Sequence, residues 1–117
     1  MDVITIHTMQ LEQPKSTDIL DATIRERYVN SSRNAYTHHY VAKDDGNEIG
    51  FLSLDLSPLD EPLAVYEIFV PRHLRRGGFG TRLLRAAEDF AFEHGYSWIL
   101  VIPRTMDEAF PQATLEA

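Results

Sequence analysis

Arginine and glycine residues are concentrated in one stretch, from residue 68 to residue 87, where they could bind an anion. This twenty-residue window contains five arginines and no carboxylate, so it carries +5 while the other 97 residues carry −12. Glycine lets the backbone approach an anion without an intervening Cβ, and the N–H groups at a helix N-terminus attract negative charge. The window therefore predicts a site for one compact, phosphate-bearing anion rather than a surface for a long polyanion.

The spacing of the glycines excludes two common phosphate-binding motifs and matches a third. The Gly77-Gly78-Phe79-Gly80 segment lacks the lysine and the Ser/Thr of a nucleoside-triphosphate P-loop, and it does not match the GxGxxG spacing of dinucleotide-binding folds. It does match Arg-x-x-Gly-x-Gly, with Arg75, Gly78 and Gly80 at the specified positions. Arg82 is the next arginine close enough to the helix start to assist a phosphate.

Composition excludes several classes of protein. The chain has 117 residues, of which 44% are hydrophobic and 25% charged, as is usual for one soluble globular domain spanning residues 1–117. The absence of cysteine excludes disulfides, thiolate metal sites and a cysteine nucleophile. His38 and His39 are adjacent in a predicted strand and point to opposite faces, so no metal site is predicted. A net charge of −7 argues against nucleic acid as a partner.

No segment predicts contact with a membrane. The apolar runs are far shorter than the roughly 20 residues that a membrane span needs. The N-terminus shows no basic region followed by an apolar stretch, so no signal peptide is predicted and we expect a cytoplasmic protein.

Hydrophobic periodicity predicts the elements that position the arginine–glycine window. A first strand is expected over 3–9. A helix is expected to begin near Asp18, capped by Ser16 or Thr17, and to bury Leu20, Ile24 and Tyr28. Strands over 35–43 and 48–56 form a hairpin around the turn 44–47. A buried strand follows over 63–70, interrupted by one charge at Glu67.

The same periodicity predicts the elements that follow the arginine–glycine window. A helix is expected over 81–94, and Gly95 is placed as its C-cap. Another buried strand is expected over 96–102, with Trp98 in the core, and a short helix after Pro111. The predicted order is therefore β-α-β-β-β-α-β in one α/β domain.

The strand ending at Val70-Pro71, the Arg75-x-x-Gly78-x-Gly80 pattern and the helix after it resemble the acetyl-CoA signature of the GNAT N-acetyltransferase superfamily. The order of elements over residues 3–103 is similar as well. The resemblance implies an α/β, GNAT-like fold with a mixed central sheet of about five strands flanked by helices. It also implies that the family's last helix and two strands are missing, and we expect a homodimer to complete the sheet.

The resemblance implies the following roles. Acetyl-CoA is the co-substrate, and a primary amine of a small molecule or peptide attacks it directly. Glu67 is the candidate general base, because the amine arrives protonated. The backbone near Phe69 or Val70 is expected to stabilise the oxyanion. The expected coenzyme-binding residues are Ile68, Phe69, Val70, Arg75, Arg76, Gly77, Gly78, Phe79, Gly80, Thr81 and Arg82.

Other interpretations stay open at this point. Glu67 could instead be exposed at a strand edge or bonded to a neighbouring side chain. Tyr36, His38 and Tyr40 could line an acceptor pocket or pack within the sheet. No tyrosine follows Tyr96 to protonate the leaving thiolate, as one commonly does in this family. The alternative functions are a non-catalytic acyl-CoA-binding module or partner subunit and, on weaker grounds, a nucleic-acid-binding domain.

Overall fold

Residues 9–101 are described by the computed structural model and form a five-stranded mixed sheet that packs against two helices. The strands follow chain order across the sheet; β1 to β4 are antiparallel, and β5 is parallel to β4. Their bounds are Met9–Glu12 (β1), Thr37–Asp44 (β2), Asn47–Asp55 (β3), Leu63–Phe69 (β4) and Ile99–Val101 (β5). The helices are α1, Ala22–Asn30, and α2, Phe79–Glu93. The predicted α/β sheet of about five strands and the order of its elements are confirmed.

The turn between β2 and β3 sets the register of the hairpin. Asp44 pairs with Asn47, and the two residues between them, Asp45 and Gly46, have positive φ angles of 52° and 81°. Two residues with positive φ form the turn whose twist suits a two-residue hairpin, and Asp-Gly is a favoured sequence for it. The predicted turn at 44–47 is confirmed.

Each helix covers its own face of the sheet, which we call the α1 face and the α2 face. On the α1 face, Ile24 packs with Val41, Phe51 and Phe69. Buried residues of the α2 face come from β3, β4 and α2: Leu52, Leu54, Leu63, Val65, Leu83, Ala87 and Ala91. The alternation of β3 residues between the two faces follows from the two-residue period of a strand.

A β-bulge in β4 changes which residues of that strand face α1. Ser53 pairs with Glu67 but the next residue, Leu54, pairs with Val65, so Tyr66 is an extra residue on β4. Val65 packs on the α2 face, whereas Phe69 packs on the α1 face. Without the extra residue, Glu67 would follow Val65 into the apolar α2 face. The bulge therefore places the Glu67 carboxylate on the α1 face.

The predicted start of the first helix was wrong. Ser16 and Thr17 lie in a short 3₁₀ turn, and α1 is capped by Asp21, whose carboxylate accepts hydrogen bonds from the amides of Thr23 and Ile24. Hydrogen bonds from the Thr23 side chain and these amides lower the pKa of Asp21, although burial acts in the opposite direction.

Glu48 on β3 explains why the segment before α1 is not helical. Its carboxylate accepts hydrogen bonds from the amides of Leu20 and Asp21, at 2.8 and 2.7 Å, and holds them outside the helix. Leu20, predicted to be buried, is consequently 85% exposed, and Ile19 packs in the core instead. Ile24 is buried and Tyr28 packs beside it, as predicted.

The prediction that the strand over 96–102 is buried was also wrong. β5 covers only Ile99–Val101 within the described residues, and its described partner is β4 on one side. Trp98 is 74% exposed because it precedes this edge position rather than lying under a helix. Tyr96 packs against the core and donates its hydroxyl to the Ser57 carbonyl.

Some expectations concern residues outside the described range 9–101. They are most of the strand predicted over 3–9, the short helix after Pro111, and the missing last helix and strands of the family. Within the described range, no helix is long and apolar enough to cross a membrane.

Gly50→Ala is expected to destabilise the protein, because β3 passes close to α2 and β4 at this glycine. An added Cβ would lie 2.7 Å from Leu83 Cδ1 and 2.7 Å from the Phe69 carbonyl oxygen. Overpacking of this kind costs about 1–3 kcal/mol, and each kcal/mol lowers the melting temperature by about 4 °C in a domain of this size. Thermal unfolding measures the loss; a melting temperature equal to that of the wild type would show that the helix moves away without cost.

Candidate active site

The segment between β4 and α2 turns sharply and brings the start of the helix beside the end of the strand. A short 3₁₀ turn, Arg72–Leu74, follows Pro71. Arg76 then has a φ of 73°, and Gly78, the residue before α2, has a φ of 78°. A positive φ is uncommon in an arginine, so the backbone conformation of this segment is strongly constrained by its surroundings.

The N-terminus of α2 can accept an anion from outside. Gly78 supplies no side-chain hydrogen bond to the helix, and the first N–H groups of any α-helix have no acceptor within it. A Cβ added at Gly78 or at Gly80 would meet no atom within 4 Å. The amides at the start of α2 therefore border open space, which is the arrangement that binds a phosphate.

The predicted arginines lie around this N-terminus in different ways. Arg75 donates from Nε to the Val70 carbonyl at 2.9 Å, and this bond ties the loop to the end of β4. Arg82 Nη1 lies 2.9 Å from Asp44 Oδ2, so this side chain extends towards the β2–β3 turn. Arg76 is exposed. The Arg76 guanidinium is thus open to solvent, whereas those of Arg75 and Arg82 are held by the protein.

The predicted β4 residues differ in burial. Phe69 and Val70 are 7% and 3% exposed, and Ile68 is partly buried against the α2 face. The guanidinium carbon of Arg27 lies 4.6 Å from the centre of the Phe69 ring, and that of Arg75 lies 5.8 Å from it. The buried side chains anchor the end of β4, so the position of its backbone is well defined.

Glu67 lies in a polar pocket formed with α1. Its side chain is 9% exposed. Arg27 Nη1 lies 3.5 Å from Oε2, and the Ser31 hydroxyl donates to the two carboxylate oxygens at 3.3 and 3.4 Å. Sequence reasoning did not identify Arg27 or Ser31, because only the packing of α1 on the sheet brings them to a strand about 40 residues later. The carboxylate is therefore hydrogen-bonded to Arg27 and Ser31 and keeps a small exposed fraction.

His39 is buried beside this pocket and makes three polar contacts. Its Nδ1 accepts from Arg33 Nε at 3.2 Å, and its Nε2 lies 3.3 Å from the Ser32 carbonyl, which fits the neutral ring. Nδ1 also lies 3.4 Å from the Tyr28 carbonyl. Burial lowers the pKa of His39, and the charge of Arg33 adds to this effect, while the carbonyl contacts and Glu67 oppose it.

The stability of the protein is therefore expected to fall as the pH is lowered through the ordinary histidine value of 6.5. Below that pH the unfolded chain binds a proton at His39 that the native state does not, so the free energy of unfolding decreases until the lowered native pKa is reached. His39→Gln should flatten this slope as the pH falls below 6.5, measured by urea unfolding. His38→Gln is the matched control, and an equal slope in both variants would contradict the assignment.

The two tyrosines considered for an acceptor pocket, Tyr36 and Tyr40, differ in burial. Tyr40 packs in the core against Phe90, with ring centres 5.5 Å apart, whereas Tyr36 is 51% exposed. Core packing therefore accounts for Tyr40. Within residues 9–101, no group of three His, Asp or Glu side chains is placed to hold a metal ion.

A cleft of about 650 Å³ lies between the start of α1, the β2–β3 turn and the 3₁₀ turn after β4, and Phe79, the first residue of α2, also lines it. Its lining includes the carboxylates of Asp18, Asp21, Asp44 and Glu48, against the basic residues Lys43 and His73. Carboxylates repel a phosphate, so this cleft is a poor anion site. Gly78 and Gly80, which border open space at the start of α2, are not part of it.

Comparison with known proteins shows the family and the fold of the chain. The sequence profile of the acetyltransferase (GNAT) family matches residues 2–109 of the chain. A search of curated proteins finds no sequence match. Among solved structures, the fold is similar to a ribosomal-protein-alanine N-acetyltransferase from Brucella melitensis biovar Abortus 2308, with a TM-score of 0.63 and 20% identity over 87% of this chain and 85% of that one.

Two further structures share the fold. An IAA acetyltransferase from Bacillus cereus ATCC 14579 gives a TM-score of 0.57 and 24% identity, covering 92% of this chain and 73% of that one. A GNAT family acetyltransferase from Elizabethkingia anophelis, with acetyl-CoA bound, gives 0.58 and 18%, covering 87% and 68%. At these identities the similarity concerns the fold. Because the family profile matches residues 2–109 of the 117-residue chain, the chain belongs to the GNAT acetyltransferase family.

Proposed function

We propose that this protein transfers an acetyl group from acetyl-CoA to a primary amine of a small molecule or peptide. The observation that carries the proposal is the position of Glu67. This nearly buried carboxylate lies on the strand that leads directly into the open, glycine-lined N-terminus of α2. One short stretch of chain thus combines a candidate base with a candidate phosphate site.

In this proposal, the pyrophosphate of acetyl-CoA binds at the start of α2. The backbone amides from Arg76 to Thr81, which include Gly77 and Phe79, donate to it, and the open space beside Gly78 and Gly80 accommodates it. The exposed Arg76 side chain contributes positive charge on the solvent side of the site. Arg75 keeps the loop against Val70, and Arg82 is held near the helix start by Asp44. Acetyl-CoA supplies the activated acetyl group.

The end of β4 orients the reacting groups. The backbone of Ile68, Phe69 and Val70 pairs with the pantetheine arm of acetyl-CoA, and the buried side chains of Phe69 and Val70 keep that backbone in place. A backbone N–H near Phe69 or Val70 stabilises the negative charge that develops on the thioester oxygen. The described ladder between β4 and β5 covers Leu63 to Val65, so this part of β4 lies beyond it.

Glu67 acts as the general base. It takes a proton from the ammonium group, and the neutral amine nitrogen then forms a bond to the acetyl carbon. The bond from that carbon to sulfur breaks, and the second proton lost by the nitrogen balances the proton gained by the departing thiolate, while Glu67 returns the first proton to solvent. The products are an N-acetyl amide and free CoA.

A second candidate, a module that binds acyl-CoA without turnover, is favoured by one observation. The Glu67 carboxylate already accepts hydrogen bonds from Arg27 and Ser31, as it would in a purely structural role. This candidate retains the anion site at α2 and lacks a working base.

We also propose that two copies of the chain associate through β5. Trp98, Leu100 and Val101 at this edge are 74%, 50% and 45% exposed. Apolar edge strands are usually covered by another chain or element. Light scattering coupled to gel filtration measures the mass in solution; a monomer at all concentrations would contradict a homodimer.

Ligand-dependent thermal unfolding tests the proposed function first. Acetyl-CoA, CoA, ATP and a short oligonucleotide are compared at one salt concentration. A ligand at about 100 times its Kd adds about 2.7 kcal/mol, which should raise the melting temperature by on the order of 10 °C. We expect both CoA forms to produce this shift, and ATP and the oligonucleotide to produce none.

Release of the CoA thiol in the presence of a panel of amines then separates the two candidates. Turnover with an amine supports the transferase. Binding of CoA without turnover of any amine supports the non-catalytic module. The absence of a shift with either CoA form would contradict both.

A further inference from the structure

Ser53, in the middle of β3, has a buried hydroxyl without a hydrogen-bond partner among the described residues. Its side chain is 0% exposed. Two other buried side-chain oxygens in residues 9–101 also lack a hydrogen bond, on Glu12 and Asp44, but those carboxylates form ion pairs with Lys43 and Arg82. Ser53 has only its one polar side-chain atom. An unpaired buried hydroxyl is less stable than an alanine methyl, so this position favours a partner that residues 9–101 do not supply.

The sheet register shows what lies beside this hydroxyl. His39, Ser53 and Glu67 occupy directly paired positions on β2, β3 and β4. All three lie on the α1 face, since Ser53 is two residues after Phe51, which packs with α1. Paired residues on neighbouring strands have Cβ atoms about 4.5–5.5 Å apart. The Ser53 side chain therefore leaves the sheet between the side chains of His39 and Glu67.

Of these two neighbours, Glu67 has hydrogen-bonding capacity to spare. His39 already contacts Arg33 and the Ser32 carbonyl through its two ring nitrogens. The Glu67 carboxylate has about four acceptor positions, and its bonds from Arg27 and Ser31 are long, at 3.3 to 3.5 Å. These long contacts leave the orientation of the carboxylate weakly determined.

We propose that Ser53 is a positioning residue for Glu67, and that the two side chains together hold one buried water molecule. The Ser53 hydroxyl donates a hydrogen bond to the water, and the water donates one to the Glu67 carboxylate. No covalent bond is made or broken at this water. A buried water needs two to four polar partners, and in this proposal the Ser53 hydroxyl and the Glu67 carboxylate supply two of them. The inference rests on the proposed function: the water fixes which carboxylate oxygen faces the amine.

The β4 bulge gives this proposal its independent support. Tyr66 is the extra residue that turns Glu67 onto the α1 face, directly opposite Ser53. Bulges of this kind re-aim one side chain of a strand. The bulge and the unpaired hydroxyl thus occur at the same level of the sheet, and both act on the same carboxylate.

A crystal structure of the wild-type protein tests the water without reference to activity. We expect electron density for one water within hydrogen-bond distance of both Ser53 Oγ and Glu67, and its loss in Ser53→Ala. An empty space beside Ser53, or a direct bond from Ser53 to Glu67, would overturn the proposal.

Kinetics test the positioning role. Ser53→Ala is expected to lower kcat by about tenfold, less than the loss of the base itself, with the KM for the amine and the Kd for acetyl-CoA unchanged. In a Glu67→Gln background, Ser53→Ala should have no further effect, because it acts only through Glu67. Ser57→Ala, in the loop after β3, is the matched control. An unchanged kcat, or equal losses in both backgrounds, would contradict the proposal.

Failure of the proposed acetyl transfer and failure of the positioning role of Ser53 give different results. If the wild-type protein turns over no amine, the proposed function is wrong, and the crystal structure still decides whether Ser53 and Glu67 share a water. If the wild-type protein is active but Ser53→Ala is equally active and melts at a higher temperature, the hydroxyl is simply unpaired and the positioning role is wrong.

Discussion

Glu67→Gln is expected to lower kcat for amine acetylation by about 100-fold to 10,000-fold, the range for loss of a general base. Glutamine has nearly the same shape and can still accept hydrogen bonds from Arg27 and Ser31 through its carbonyl oxygen. It cannot take a proton from the ammonium group. Because Glu67 lies outside the proposed phosphate site, the Kd for acetyl-CoA should remain within about twofold of the wild-type value.

The measurement is steady-state release of the CoA thiol at saturating acetyl-CoA, together with the Kd of CoA by calorimetry. Glu88→Gln, the same substitution at an exposed position of α2, is the matched control. An unaltered rate in Glu67→Gln would remove Glu67 from the mechanism and leave it as a partner of Arg27. If the rate of the variant rises with pH towards the wild-type rate, this would support the loss of a base. At high pH the free amine forms in solution and no longer needs the Glu67 carboxylate to remove its proton.

Gly80→Asp is expected to abolish CoA binding, raising the Kd by about 100-fold or more, which corresponds to about 2.7 kcal/mol or more. The new side chain would enter the open space beside the start of α2, where an added Cβ meets no atom within 4 Å. Its negative charge would occupy the position proposed for the pyrophosphate. The fold should tolerate it, because acidic residues stabilise the first turn of a helix.

Gly80→Ala separates the effect of shape from that of charge. Alanine in place of glycine stabilises a helix by up to about 1 kcal/mol, so this variant should unfold at an equal or higher temperature while binding CoA more weakly. Calorimetry and thermal unfolding measure the two effects on the same sample. Phe92→Asp adds the same charge at an 84% exposed position near the other end of α2, and it should bind CoA normally. Normal binding by Gly80→Asp would place the coenzyme elsewhere.

Local patterns were sufficient to predict much of the fold. The Asp45-Gly46 turn and the alternating hairpin around it are contained in adjacent residues, and the apolar stripe of α2 repeats at helical spacing. The start of α1 could not be predicted in this way. Asp21 and Ser16 are both good caps, and the choice between them depends on Glu48, which binds the intervening amides from a distant strand.

Burial at β5 shows a second limit of local reasoning. Trp98 and its neighbours are as apolar as a core strand, and composition alone predicted that they were inside. Exposure is decided by which elements lie on each side of a strand, and β5 pairs with β4 at an edge of the described sheet. No window of sequence contains that information.

For the candidate site, the amino-acid sequence by itself determined where the proposed anion-binding segment lies. Glycines, arginines and a helix start must be close in sequence to act together at one loop, so Arg75, Gly78 and Gly80 could be recognised there. Only the tertiary structure decided the surroundings of Glu67. Its hydrogen-bond partners, Arg27 and Ser31, lie in α1 and at its C-cap. Ser53 pairs with it from β3, and the bulge at Tyr66 selects its face. Contacts between elements depend on packing and register across the whole sheet, and these are not properties of any single segment.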